Sequence, residues 1–78
     1  MILTPAEYVI ITMGGVNATA RALGRSPAAV SKWKRPKDEK GTGGEIPRSV
    51  RKDILDYAEK NDLNITLKDL EYGKEVRL

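Results

Sequence analysis

Helix punctuation constrains this chain more than hydrophobicity does. Between Asn17 and Pro36 the residues that start and stop helices stand so close together that only two short helices fit. Asn17 is placed to cap a helix over 18–23. Gly24 follows where a left-handed residue is wanted, a conformation glycine enters without steric cost. Ser26-Pro27 repeats the start signal, a capping hydroxyl before a proline whose missing N–H does no harm. It opens a helix over 27–35 that Pro36 ends.

The same signals divide the rest. Thr4-Pro5-Ala6-Glu7 is a capping box that opens a helix over 5–13, closed by Gly14-Gly15, with Met1, Ile2 and Leu3 folding back over it. Its apolar run, Tyr8 to Ile11, covers most of the circumference and implies a largely enclosed helix. Ile46-Pro47 introduces a helix over 47–60. Val50, Ile54, Tyr57 and Ala58 line one face, Leu55 lies nearby, and Arg48, Arg51, Lys52, Asp53, Asp56 and Glu59 face water. Thr66 and Asp69 frame a final helical turn over 67–71. Residues 37–45, with Gly41, Gly43 and Gly44, read as a flexible loop. The alternation of Glu75-Val76-Arg77-Leu78 offers a short terminal strand. The expectation is one all-α domain over residues 1–78, a compact four-to-five-helix bundle.

Neither cysteine nor histidine occurs among the 78 residues. That excludes disulfides, thiolate nucleophiles, zinc sites with nitrogen or sulfur ligands, and imidazole bases, so neither enzyme, cofactor nor metal is expected. Asp53, Asp56 and Glu59 recur at three-residue spacing, but they share the polar face of their helix with cations, which argues against an acid–base pair. No apolar run reaches bilayer length, and a soluble cytoplasmic chain, associated with the nucleoid, is the expectation.

The net charge of +3 is unevenly placed. Residues 1–37 hold six cations (Arg21, Arg25, Lys32, Lys34, Arg35, Lys37) against the one acid Glu7, whereas residues 38–78 hold eight against ten. A solvated helical surface normally mixes signs, so a block this unbalanced suggests a phosphate-facing stripe.

Spacing sharpens the suggestion. Ala20, Gly24, Val30 and Trp33 fall at offsets 0, +4, +10 and +13. A helix-turn-helix needs a small residue where its helices cross, a turn residue tolerant of positive φ, and two inward apolar side chains on the second helix. The opposite face is then free to enter a DNA groove. Trp33 reads as an inward core residue rather than a base-stacking one. Gly41-Thr42-Gly43-Gly44 lacks the preceding strand and following lysine-serine pair of a phosphate-cradling loop.

Residues 14–35, from Gly-Gly-Val-Asn-Ala-Thr-Ala-Arg through Ala-Leu-Gly-Arg-Ser-Pro to Ala-Ala-Val-Ser-Lys-Trp-Lys-Arg, resemble the helix-turn-helix of Cro-type phage repressors and of YdaS-like antitoxin proteins. Gly44-Glu45-Ile46-Pro47 and Ile65-Thr66-Leu67-Lys68-Asp69-Leu70 are similar to that group too, which extends the likeness over about residues 5–72. The resemblance implies a lambda-repressor-like or Cro-like domain, often dimeric on operator DNA, from a phage, prophage or comparable mobile element.

In such a docking the second helix lies in the major groove. Ala28, Ser31, Lys32 and Arg35 are then the candidate base contacts. Ala28 suits a thymine methyl, Ser31 suits a donor or an acceptor, and Lys32 suits guanine O6 and N7. Asn17, Arg21, Arg25, Pro27, Lys34 and Lys37 are the candidate phosphate-side contacts, a role Arg35 also fits. Pro27 and Ala28 stand where many members of the group carry Gln, Asn or Arg. Each missing bidentate contact forgoes roughly 1–3 kcal/mol of discrimination. The expected function is a sequence-specific or semi-specific regulator on double-stranded DNA, acting as a repressor and homodimer, with no small-molecule substrate and no membrane partner. Leu63, Ile65, Leu70, Tyr72, Val76 and Leu78 are candidates for the dimer contact or, equally, for closing the core of so small a chain. The competing expectation is a protein-binding adaptor or antitoxin on the same fold.

Overall fold

A computed structural model describes residues 2–75 and bears out the all-α class. Helix α1, Pro5–Thr12, starts at the expected capping box. Thr4 Oγ1 accepts from the Glu7 amide at 3.2 Å, and Glu7 Oε1 accepts from the Thr4 amide at 3.0 Å. It buries Ala6, Val9 and Ile10, but Ile11 is 65% exposed and Tyr8 half-buried, so the helix is less enclosed than its apolar run implied.

Helix α2, Val16–Leu23, begins two residues earlier than expected, and Asn17 is not its cap. The Gly15 carbonyl accepts from both the amide (3.0 Å) and the hydroxyl (2.7 Å) of buried Thr19, which starts the helix at Val16 and leaves Asn17 exposed within its first turn. At the other end Gly24 adopts φ +65°. Its amide reaches the Arg21 carbonyl at 3.4 Å while the Arg25 amide reaches that of Ala20 at 2.9 Å, the paired bonds of a Schellman cap.

Helix α3, Pro27–Lys32, opens on Ser26, whose hydroxyl accepts from the Ala29 amide at 3.2 Å. It stops three residues short of the expected end. Beyond it the chain tightens into turns in which the amides of Trp33, Lys34 and Arg35 each donate to a carbonyl three residues back.

The 37–45 segment is not the featureless flexible loop expected. It contains a 3-10 turn, Lys37–Glu39, and then folds back on the end of α3. The amides of Thr42, Gly43 and Gly44 donate to the carbonyls of Lys32 (3.0 Å), Arg35 (2.8 Å) and Trp33 (2.8 Å). Thr42 Oγ1 lies 3.0 Å from the Trp33 carbonyl and 2.6 Å from that of Glu45, and the Gly44 carbonyl accepts from Ala6 at 2.9 Å. The loop thus adds a second donor to the last carbonyl of α3, that of Lys32, and supplies donors to the carbonyls of Trp33 and Arg35 in the turns beyond it.

Helix α4, Arg48–Lys60, presents Val50, Ile54 and Ala58 to the core as the sequence pattern requires. Arg51 departs from the expected water-facing set. It is half-buried, its Nε donates to the Ile46 carbonyl at 3.3 Å, and its guanidinium lies 3.8 Å from Glu71. Helix α5, Leu67–Tyr72, opens on the Thr66–Asp69 capping box and sends Leu70 fully into the core. Strand β1, Ile2–Leu3, pairs antiparallel with strand β2, Lys74–Glu75. The expected terminal strand is therefore realised at Glu75 and one residue before it, while Val76, Arg77 and Leu78 lie outside the described residues.

The core gathers Ala6, Val9 and Ile10 of α1, Ala20 of α2, Val30 and Trp33 at α3, Ile46, Val50, Ile54 and Ala58 at α4, and Ile65 and Leu70 at α5. Two residues expected to be available for a dimer contact, Ile65 and Leu70, are consumed in it, and Leu63 packs against its edge. Tyr72 stays exposed.

Candidate nucleic-acid interface

The geometry at α3 starts from its two inward side chains. Val30 is fully buried and Trp33 is 4% exposed, close to Ala20 on α2 within one core. A helix places residues three and four apart on one side. With Val30 and Trp33 inward, Ala28, Ser31 and Lys32 turn outward; Pro27, Ala28, Lys32, Lys34 and Arg35 are exposed and Ala29 and Ser31 half-buried. The loop backbone at Gly41 approaches this surface beside Arg35.

The candidate base contacts Ala28, Ser31 and Lys32 share α3, while Arg35 stands just past its end, held by the loop. The Arg35 carbonyl accepts from Gly43, and the backbone at Gly41 runs so close that an added Cβ would sit 2.1 Å from the Arg35 oxygen. Only glycine permits that approach. Gly41, Thr42, Gly43 and Gly44, read from sequence as slack, thus shape the end of the exposed face. Their signal was the closely spaced glycines with a hydroxyl among them, which flexibility and a close backbone approach produce alike.

The cations divide into two groups. Among the described residues no carboxylate lies within 4 Å of the charged groups of Arg21, Lys32, Lys34 or Arg35. Arg25, in the turn between α2 and α3, instead lies 3.7 Å from Asp53 of α4, and Lys37 lies 3.8 Å from Glu45 with its aliphatic stem along Gly43. Asp53 and Glu45 carried no signal in the sequence beyond their charge. Asn17 is exposed at the start of α2. Gly15 before it has no side chain to cap the first amides, so the end of α2 nearest Asn17 offers backbone donors along with the Asn17 amide.

Three surface grooves, of about 440, 390 and 360 Å³, lie elsewhere, and no residue of α3 lines them. Among the described residues no three carboxylates gather closely enough to hold a metal ion, and no helix is long and apolar enough to cross a membrane. Comparison with protein-family models, curated proteins and solved structures finds no match to this chain.

Proposed function

We propose that α2 and α3 act as a helix-turn-helix and that the chain is a regulator binding double-stranded DNA through α3 in the major groove. One observation carries the reading. Val30 and Trp33 anchor α3 from beneath while its opposite face is largely exposed and bears cations that have no acidic partner among the described residues. A bundle held together only by its core has no need of a charge bias at its tightest turn, whereas a phosphate backbone selects for one. Ser31, Lys32 and Arg35 read base edges, Ala28 meets a thymine methyl, and Asn17, Arg21, Arg25, Pro27, Lys34 and Lys37 lie along the phosphates. The regulator is Cro-like in this reading, and it self-associates, because a handful of phosphate contacts holds a monomer weakly at cellular salt.

Duplex binding followed by fluorescence anisotropy between about 50 and 200 mM salt tests the proposal. Arg21→Ala and Lys34→Ala flatten the logarithmic salt dependence by roughly 0.9 for every phosphate left without its cation, while Lys32→Ala and Arg35→Ala each weaken binding and relax its sequence preference. Unchanged affinity in Lys32→Ala and Arg35→Ala, with the fold intact, overturns it. The adaptor or antitoxin reading has one observation in its favour: Ile2 and Tyr72, each 70% exposed, border the largest of the three grooves on the side built by β1, β2 and α5.

A further inference from the structure

Of the six cations that cluster between Arg21 and Lys37, two are already engaged. Arg25 faces Asp53 at 3.7 Å and Lys37 faces Glu45 at 3.8 Å, and each pair joins the cationic segment to an acid from the later half of the chain. Both distances exceed the 2.7–2.9 Å of a charge-assisted hydrogen bond, and in each a single nitrogen approaches a single oxygen. A close, bidentate pair fixes a guanidinium in one orientation. A loose one supplies attraction without aim. The side chains are also well exposed, 40% and 51% in the first pair, 72% and 70% in the second, so either cation can swing to a new partner.

We infer that Asp53 and Glu45 compete with nucleic-acid phosphate for Arg25 and Lys37, and so hold the affinity of this surface below what its cations alone would give. The inference rests on the duplex-binding reading above and adds two residues that it does not use. A duplex presents phosphates closely spaced along each strand, and it displaces both acids while engaging the four uncompensated cations. An isolated anion gains too little from one cation to do so. The two acids therefore discriminate a polyanion from a small one.

The test compares Asp53→Asn, Glu45→Gln and the double variant with the wild type, by anisotropy on a duplex at about 100 mM salt. Asp56→Asn, on the helix of Asp53 and without a cation partner among the described residues, controls for the removal of negative charge as such. An exposed pair is worth little, and its removal corresponds to roughly 1.4- to 5-fold in an equilibrium. Each variant tightens binding by that factor beyond the Asp56→Asn control and steepens the salt dependence. In an Arg25→Ala background the extra gain from Asp53→Asn vanishes. Thermal unfolding confirms that all variants remain folded.

Three results overturn the inference: a gain no larger than that of Asp56→Asn, a gain that persists without Arg25, or a loss of affinity, which would make Asp53 a residue that positions Arg25. Wild-type protein that binds no duplex even at about 50 mM salt removes the underlying reading as well, and that outcome is distinct from the other three.

Discussion

Substituting Gly41 by alanine tests whether the loop over 37–45 caps α3. Gly41 has no left-handed φ, so the change carries no intrinsic backbone penalty; its cost is steric. An alanine Cβ would lie 2.1 Å from the Arg35 carbonyl oxygen and 2.4 Å from the Arg35 Cβ, and neither is the free end of a flexible chain. The loop has to lift by about 1.4 Å to restore a contact distance near 3.5 Å from the Arg35 oxygen. Lifting it endangers three bonds: Gly41 N–H to Pro36 at 3.0 Å, Thr42 N–H to Lys32 at 3.0 Å and Gly43 N–H to Arg35 at 2.8 Å. Each contributes about 0.5–1.5 kcal/mol net, so breaking two costs about 2 kcal/mol. A domain of this size moves its midpoint by roughly 4–8 °C per kcal/mol, which places the variant some 8–16 °C below the wild type. Far-UV circular dichroism measures the midpoint, and hydrogen exchange at the Thr42, Gly43 and Gly44 amides locates the damage. A midpoint within about 2 °C of wild type, with those amides still protected, refutes the docked loop.

Three further substitutions probe the turn, the core and the last helix cap. Gly24→Ala meets open space but must adopt φ +65°, so it costs about 1–2 kcal/mol by denaturant unfolding, and Gly24→Asn costs less; equal losses would contradict a purely conformational origin. Ile54→Ala empties a fully buried site and costs about 2–5 kcal/mol, whereas Ile11→Ser, at a position 65% exposed, stays within about 0.5 kcal/mol; similar losses at the two would mean that Ile54 is not the centre of the core. Thr66→Ala removes the hydroxyl that accepts from the Asp69 amide and costs about 0.5–2 kcal/mol, seen as earlier exchange of the first-turn amides of α5; unchanged exchange there would show that the box does not hold the helix.

What was legible in the sequence shares a physical property: it is decided within a few residues. Thr4 with Glu7, Ser26 with Ala29, and Thr66 with Asp69 satisfy orphan amides three positions away, so the residues that make the cap stand close to one another in the chain. Gly24 was readable because its left-handed φ ends a helix whatever surrounds it. The inward pair Val30 and Trp33 followed from helical spacing alone. The start of α2 was not legible, because Asn17 is a better intrinsic cap than Gly15. Buried Thr19 overrides that preference through its two bonds to the Gly15 carbonyl. Nor was the loop. Its donors serve carbonyls at and just past the end of α3 that lie well back along the chain, and its glycines are there because the chain passes close to itself, at Gly41 over Arg35 and at Gly44 beside Thr4. Ion pairs such as Arg25 with Asp53 depend on which helices pack together, and no local pattern announces them.

The shortness of α3 bears on how the proposed regulator would find its target. Its first turn holds Pro27 and Ala28, neither with a side chain that hydrogen-bonds a base, so recognition falls on Ser31, Lys32 and Arg35. Two good contacts at roughly 1–3 kcal/mol each give one copy about 2–6 kcal/mol of discrimination. Specific regulators typically separate target from random DNA by about 4–10 kcal/mol, so a single copy reaches only the lower part of that range. A two-fold arrangement doubles the discrimination to about 4–12 kcal/mol, with the copies reading half-sites roughly 34–36 Å apart. On the proposed reading, symmetry would be how so small a reading surface becomes selective. The loop over 37–45 matters to that selectivity. Arg35 stands beyond the last helical residue, and the bonds from Gly43, Gly44 and Thr42 fix the backbone from which it projects, at a position that a six-residue helix would leave free to wander.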